Sequence, residues 1–589
     1  MPGIPEAPPV TVEGLRLRYP QEGRVVLRGV DLTLRRGETK LLLGPSGAGK
    51  SSLALTINGL IPHQMEGDLR GRVLVNGTAT TGTSLAALTS QVGMLFQDPE
   101  AQIVTLTAAD EVAFGMENLL VPPEQMPQRI RAALQRAGLA DFEARDTGAL
   151  SGGEKQRLAL AATLAMGVSI LVLDEPTSNL DPAGTSDFFK LLAALKSEGV
   201  SVLIIEHKLD ELVAQLDSIA VLDREGKIVL DGPPRQVLWD GRATLEELGV
   251  WLPQVAEIAN RLLDGGLELH EYPITVDEAA TTVSPLVKTT KLSPVASDAK
   301  TEHPGPPALV SIDSLSYRYP EGALALRGVS LRVKEGDFYA LLGPNGSGKT
   351  TLAKHLIGLL KPQAGSITLD GEDITRIAPA RLNREVAYVF QNPEHQFVSL
   401  TVYDELAYSL RALKLPESDV KATVDRLIEE FGLEQHANSN PFTLSQGQKR
   451  RLSVATMLAL EPKVLILDEP TFGQDYENAT RIMRELQRLN HLGVTIVVIT
   501  HDMKLVGEYA RRAGVLVAGE ARYDGSVEGL LANGTLLEEA RLDLPPVYLL
   551  SERLRATRPD FPLYTSVKPL VEELCSRSGT GRVEAPSTR

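Results

Sequence analysis

"LLLGPSGAGKSS", Leu41–Ser52, and "ALLGPNGSGKTT", Ala340–Thr351, set the same loop twice in one chain. Each follows a run of β character and precedes a helical pattern, "SLALTINGL" or "LAKHLIGLL", the context that marks a Walker A phosphate loop. The glycines allow turns that aim successive backbone N–H groups inward, at the positive end of the following helix. The first cradle is Gly44, Pro45, Ser46, Gly47, Ala48, Gly49, Lys50, Ser51 and Ser52. The second is Gly343, Pro344, Asn345, Gly346, Ser347, Gly348, Lys349, Thr350 and Thr351. Lys50 and Lys349 can reach β- and γ-phosphates, while Ser51 and Thr350 offer the hydroxyl that ligates Mg²⁺. A glycine-rich turn that binds nothing is the plainer alternative, and recurrence at corresponding places argues against it.

Downstream, "ILVLDEPTSNLD" from Ile170 and "VLILDEPTFGQD" from Val464 read as matching buried strands that deliver Asp174 and Asp468 to a sheet edge. There a carboxylate can hold Mg²⁺, and the adjacent Glu175 or Glu469 can accept a proton from an attacking water. "IIEHK" and "VITHD" each end a further buried strand with a histidine, His207 or His501, a candidate γ-phosphate contact. Between the loops and these strands lie "MLFQDPEAQIVTLTAADEVAFG" from Met94 and "YVFQNPEHQFVSLTVYDELAYS" from Tyr388. Each carries Phe-Gln at a strand end, then a cluster of carboxylates: Glu100, Asp110 and Glu111, or Glu394, Asp404 and Glu405. Those carboxylates suit either a helix start or a docking surface for basic side chains.

The duplication spans most of the 589 residues. Tyr19 and Tyr319 lie 300 apart, Lys50 and Lys349 lie 299 apart, and Gln97/Gln391, Ser151/Ser445, Asp174/Asp468 and His207/His501 all lie 294 apart. The first copy therefore has five extra residues between Lys50 and Gln97, near "HQMEGDLRG". "LEELGVWLPQV" and "LEEARLDLPPV" extend the likeness past the histidines. This is domain duplication rather than a short-period solenoid. The expected division is 1–265 for the first domain with its extension, 266–307 for the extension end and linker, and 308–589 for the second domain with its extension. The stretch "SPLVKTTKLSPVASDAKTEHPGPP", 284–307, reads as a flexible tether.

A net charge of −16 disfavours a protein built to grip nucleic acid. The single Cys575 excludes an internal disulfide and a cysteine-cluster zinc site. "MPGIPEAPPV" has neither the basic start nor the apolar core of a signal peptide. No apolar run approaches the ~18–20 residues that cross a bilayer.

"LSGGEKQRLALA" from Leu150 and "LSQGQKRRLSVA" from Leu444 resemble the signature of ATP-binding-cassette (ABC) ATPases. With the loops, strands, "SNLD" and "FGQD" D-loops and histidines, the resemblance covers nearly all of both halves. It implies an α/β fold of two tandem ABC ATPase domains. Each would have a RecA-like P-loop core, an antiparallel β subdomain, a helical signature subdomain and a small C-terminal extension. It further implies ATP and Mg²⁺ as ligands, with Tyr19 and Tyr319 stacking on adenine. Ser151, Gly152, Gly153 and Glu154, and Ser445, Gln446, Gly447 and Gln448, would contact nucleotide across a head-to-tail pair of cassettes, with no further homo-oligomer needed. Gln97, Glu175 and His207, and Gln391, Glu469 and His501, would be catalytic. Ser51, Gln97 and Asp174, and Thr350, Gln391 and Asp468, would surround the metal. Glu154 stands where the family usually has Gln, and Gln446 where it usually has Gly.

The wording after Phe-Gln, and the tails "LGVWLPQVAEIANRL" and "YPITVDEAA", resemble the ATPases of energy-coupling-factor (ECF) importers. That resemblance implies a transmembrane coupling protein and a small substrate-binding membrane subunit as partners. The ATPase would lie peripherally at the cytoplasmic face of the cell membrane, attached through protein and binding no nucleic acid. The alternative is a tandem cassette ATPase that serves translation or the ribosome without a membrane partner.

Overall fold

The computed structural model describes residues 7–20, 23–178, 180–289, 308–320, 322, 324–471 and 473–576. The chain divides into two compact units, Met1–Thr282 and Val283–Arg589. Asn179 and Phe472, one residue of each D-loop, and most of the tether, 290–307, lie outside the described residues.

In the first unit the phosphate-loop strand, Thr39–Leu43, is buried along its whole length. The strands Ile170–Asp174 and Ser201–Ile205 are equally buried, as parallel strands covered on both faces must be. The six-stranded sheet runs Ile228–Gly232, Ser218–Leu222, Thr39–Leu43, Ser201–Ile205, Ile170–Asp174, Val92–Leu95. All neighbours are parallel except the pair formed by Ile228–Gly232 and Ser218–Leu222. Thr39–Leu43 thus has later strands on both sides, a switch point whose crevice opens at the strand carboxyl ends. Phosphate loop, Asp174 and His207 all lie at those ends.

A four-stranded antiparallel sheet, Arg24–Leu34, Val10–Tyr19, Asp68–Val75, Thr78–Ala79, accompanies this core. The helices Ala108–Asn118, Met126–Arg136 and Gly152–Ala165 enclose an apolar centre of Val112, Met116, Leu134, Leu139 and Leu158. These are the three parts expected of the fold. The second unit repeats both sheets in the same strand order, with Phe338–Leu342 in the central place. The five extra residues of the first copy accompany a short helical turn, Leu60–His63, ahead of strand Asp68–Val75.

The extensions also match, each with a helix that follows a proline: Gln254–Asp264 after Pro253 and Pro546–Thr557 after Pro545. One expectation needs correction. The helix Val276–Thr289 runs through Ser284–Thr289, so these residues are helical and are not the start of a tether. Ala279, Val283 and Val287 recur every fourth residue and are all buried. That apolar stripe holds the helix through Pro285, although proline forfeits a backbone donor there.

Candidate functional site

In each half the loop turns into a helix, Lys50–Ile57 or Lys349–Leu356, through a left-handed glycine, Gly49 or Gly348. A Cβ on Gly49 would lie 2.8 Å from Leu27 Cδ2, and one on Gly348 2.7 Å from the Ala325 carbonyl oxygen. Only glycine fits both the backbone and the space. The lysine amines fold back on their loops. Lys50 Nζ donates to Gly44 O (2.7 Å) and Pro45 O (3.0 Å), and Lys349 Nζ to Gly343 O (2.7 Å) and Pro344 O (2.9 Å). Each cation is therefore held at the mouth of a loop, where a phosphate can replace its carbonyl partners.

Beside each lysine a hydroxyl meets a carboxylate. Ser51 donates to Asp174, and Thr350 Oγ1 donates to Asp468 Oδ2 at 3.1 Å. Burial pushes the Asp174 carboxyl up to about 6; the Ser51 hydrogen bond opposes it and the neighbouring Glu175 charge adds to it. Burial likewise raises Asp468, against hydrogen bonds from Tyr388 and Thr350. A hydroxyl and one carboxylate are hard oxygen donors that suit Mg²⁺, an ion that takes one or two carboxylates and fills its remaining positions with water and phosphate.

Glu175 and Glu469 follow directly, with left-handed backbones at φ 47° and 46°. Non-glycine residues rarely adopt this conformation, and where they do it is held by surrounding structure. Here the holding bonds are Glu175 N–H to Ile205 O and Glu469 N–H to Ile499 O, both 2.9 Å. The Glu175 carboxylate accepts from Gln97 Nε2 (2.7 Å) and lies 3.2 Å from His207 Nε2. Burial opposes its ionisation, yet the His207 contact, with Lys50 and Gln97, holds its pKa below the ordinary range. Glu469 lies 2.7 Å from His501 Nδ1 and accepts from Thr500 Oγ1 at 3.1 Å. Gln391 is exposed and makes no hydrogen bond to Glu469 among the described residues.

The tyrosine hydroxyls reach the loop helices: Tyr19 pairs with Ser52 (3.1 Å) and Tyr319 with Thr351 (3.3 Å). Ser151 caps the helix Gly152–Ala165 in a capping box, its N–H and hydroxyl both donating to Glu154 Oε2 at 2.7 Å. Ser445 and Gln448 repeat this box on Gln446–Leu458, where Gln446 is the exposed first residue. A Glu at position 154 thus performs the capping that Gln448 performs in the other half. No hydrogen bond joins Ser151 or Ser445 to the phosphate loop of its own half among the described residues.

The acidic cluster resolves into distinct roles. Glu111 is buried and accepts from Val104 N–H (3.0 Å) and Thr105 N–H (2.9 Å); Glu405 accepts from Val398 N–H (2.9 Å) and Ser399 N–H (2.7 Å). Asp110 and Asp404 accept from the capping threonines Thr107 and Thr401. Glu100 and Glu394 pair with the signature lysines, Lys155 at 2.6 Å and Lys449 at 2.5 Å. Four of the six therefore serve their own helix start or loop.

Sequence reasoning missed Tyr388 and Arg450. The Tyr388 hydroxyl donates to Asp468 Oδ2 at 2.7 Å. Arg450, fully buried, donates to the carbonyls of Phe390, Asp468 and Glu469. The visible signal was a difference between the copies: Met94 against Tyr388, and "EKQR" against "QKRR".

A profile of the ABC transporter family matches residues 27–178 and 326–472. The chain is 40% identical over 588 residues to a protein described as an ABC transporter ATP-binding protein of Methanosarcina acetivorans, covering 98% of this chain and 95% of the relative. It is 39% identical over 542 residues to YkoD of Bacillus subtilis, described as an HMP/thiamine import ATP-binding protein, covering 92% of this chain and 96% of the relative. Among solved structures it resembles cbiO1 of Clostridium perfringens, described as part of the transporter complex cbiONQ. That likeness is 35% identical, covers 40% of this chain and 96% of the other, and has a TM-score of 0.36. Two loops, two acidic strand ends and two signature helices, matched along almost the full length of such relatives, place the chain in the ABC transporter family as an ATP-hydrolysing, Mg²⁺-dependent ATP-binding protein.

Proposed function

We propose that this chain is the energy-coupling ATPase of an ECF-type importer, with both ATP sites formed head to tail between its two halves. In this reading Lys50 and Lys349 bind phosphate charge together with the loop N–H groups. Ser51 with Asp174, and Thr350 with Asp468, would hold Mg²⁺, which would neutralise charge on the transferring phosphoryl group. Glu175 and Glu469 accept the proton of the attacking water, and His207 and His501 orient them. Gln97 and Gln391 serve the same water and metal. Tyr19 and Tyr319 stack on adenine, and Ser151, Gly153, Ser445 and Gly447 contact nucleotide from the opposite half. The hydrogen-bonded glutamates at 175 and 469, each against a histidine, support these roles.

One observation carries the membrane-partner reading. Val104, Leu106 and Phe114 are 64%, 80% and 46% exposed, and the corresponding Val398, Leu400 and Tyr408 are 65%, 80% and 57% exposed. Apolar side chains this open, repeated at one place in both halves beside the Gln-loops, suit a covering partner. The buried carboxylates of Glu111 and Glu405 fix the loops that carry the first two side chains of each set. The occupant we assign is an apolar helix of the transmembrane coupling protein, one per half. Among the described residues no helix is long and apolar enough to cross a membrane, so the chain's membrane contact in this reading is through that partner at the cytoplasmic face. The import function in the name of the Bacillus relative supports the direction of transport. The relatives reported above are described as transporter ATPases, which leaves the translation-factor alternative unsupported.

The test is to replace Leu106 and Leu400 with Glu in the full chain. Co-purification with the coupling protein and transport should be lost, at ~2–4 kcal/mol for each central apolar anchor, while ATP binding persists. Unchanged assembly and transport would remove the docking role.

A further inference from the structure

The two halves share their fold but differ in the side chains that stand behind the acidic strand ends. In the second half the Tyr388 hydroxyl donates to the Asp468 carboxylate, which also accepts from Thr350. Arg450 donates to the carbonyls of Asp468 and Glu469 and to that of Phe390, the residue before Gln391. Thr500 donates to the Glu469 carboxylate. Helix, Gln-loop and acidic strand end are thus tied together by one buried guanidinium.

The corresponding residues of the first half are Met94, Gln156 and Glu206. Met94 cannot donate, and its thioether instead accepts from Asn58 Nδ2. Gln156 is fully buried, and among the described residues neither its amide oxygen nor its nitrogen has a partner. Glu206 accepts from Thr177 Oγ1 (2.7 Å) and His207 N–H (2.8 Å) and gives Glu175 no donor. The second donor to Glu175 is the exposed Gln97.

We infer that Tyr388 and Arg450 are positioning residues that pre-order the metal-side wall of the second half's site, so that the two sites of one chain differ in their Mg²⁺-dependent affinity for ATP. The inference rests on the reading of Asp174 and Asp468 as metal-side residues. A carboxylate already oriented by an outer hydrogen bond loses less freedom when it takes up a cation. A strained glutamate whose carbonyl is anchored keeps its side chain in place before the water arrives. The first half has to acquire this order on binding.

The experiment uses the full chain with Glu175→Gln and Glu469→Gln, which blocks hydrolysis, and counts bound radiolabelled ATP by equilibrium dialysis as Mg²⁺ is raised. Adding Lys50→Ala or Lys349→Ala silences one half and assigns the remaining signal. The site of the second half should fill at lower Mg²⁺. Tyr388→Phe, which keeps the ring in its packing, should raise that requirement by ~10-fold or more. Arg450→Gln should do the same, with Arg450→Lys restoring part of it. The converse changes, Met94→Tyr and Gln156→Arg, should lower the requirement of the first half, so the inference stays testable if an Arg450 variant fails to fold. Equal Mg²⁺ requirements in the two halves, or no response to Tyr388→Phe and Met94→Tyr, would overturn it. Mg²⁺-dependent binding that survives Lys50→Ala and Lys349→Ala together would instead overturn the assignment of the sites themselves.

Discussion

The first and second halves have the same sheets in the same strand order, the same capped signature helices and the same left-handed glutamate after the acidic strand. They part at residues that touch those features from behind. Met94 and Gln156 in one half stand where Tyr388 and Arg450 stand in the other, and among the described residues their side-chain hydrogen bonds to the acidic strand end and Gln-loop change from none to four. The comparison teaches that a duplicated fold keeps what aims the reactive groups. What braces those groups has diverged.

The largest expected difference between the halves is one of sign. Arg450→Met leaves three carbonyls without their donor, at about 1–3 kcal/mol for each one left unsatisfied. Gln156→Met removes two buried polar atoms that have no partner among the described residues, and should stabilise its half by about 1–3 kcal/mol on the same scale. Urea denaturation followed by hydrogen exchange in each half separately would measure both. Destabilisation of similar size at both positions would erase the comparison.

Much of this was legible in the sequence, and the limits have physical reasons. The phosphate loops, acidic strands and signature helices declare themselves because backbone geometry restricts which residues can stand there, as at Gly49 and Gly348. The capping boxes of Ser151 with Glu154 and Ser445 with Gln448 stand at a spacing of three, yet the resemblance assigned these residues to nucleotide contact and the boxes emerged only from the structure. Tyr388 and Arg450 escaped notice because a tyrosine in an apolar strand and an arginine in a basic run have ordinary uses. Only folding brings Phe390, Asp468 and Glu469 around one guanidinium. The sequence left a helix start and a docking surface open for the carboxylates, because the backbone donors to Glu111 and Glu405 lie in a loop that turns back on the helix start, while Asp110 and Asp404 are held by the capping threonines. Residues 284–289 read as the start of a tether because the buried stripe of Ala279, Val283 and Val287 is spread through a polar stretch that contains Pro285.

The smallest effect should come from severing the halves. Cutting within 290–307 and keeping both pieces should preserve ATP turnover at high protein concentration, because the residues assigned to chemistry all lie elsewhere. Recombining an altered half with an unaltered one would then test each half's contribution alone. Loss of turnover with the pieces at saturating concentration would give those residues a structural part.

The central claim, that one chain hydrolyses ATP through Glu175 and Glu469, is tested most directly by steady-state ATP turnover of the two single Glu→Gln variants and of the double variant. The account predicts that each single variant is impaired and that the double variant falls by ~10²–10⁴-fold, the usual loss on removing a general base. A double variant that turned over ATP at the rate of the unaltered chain would contradict it.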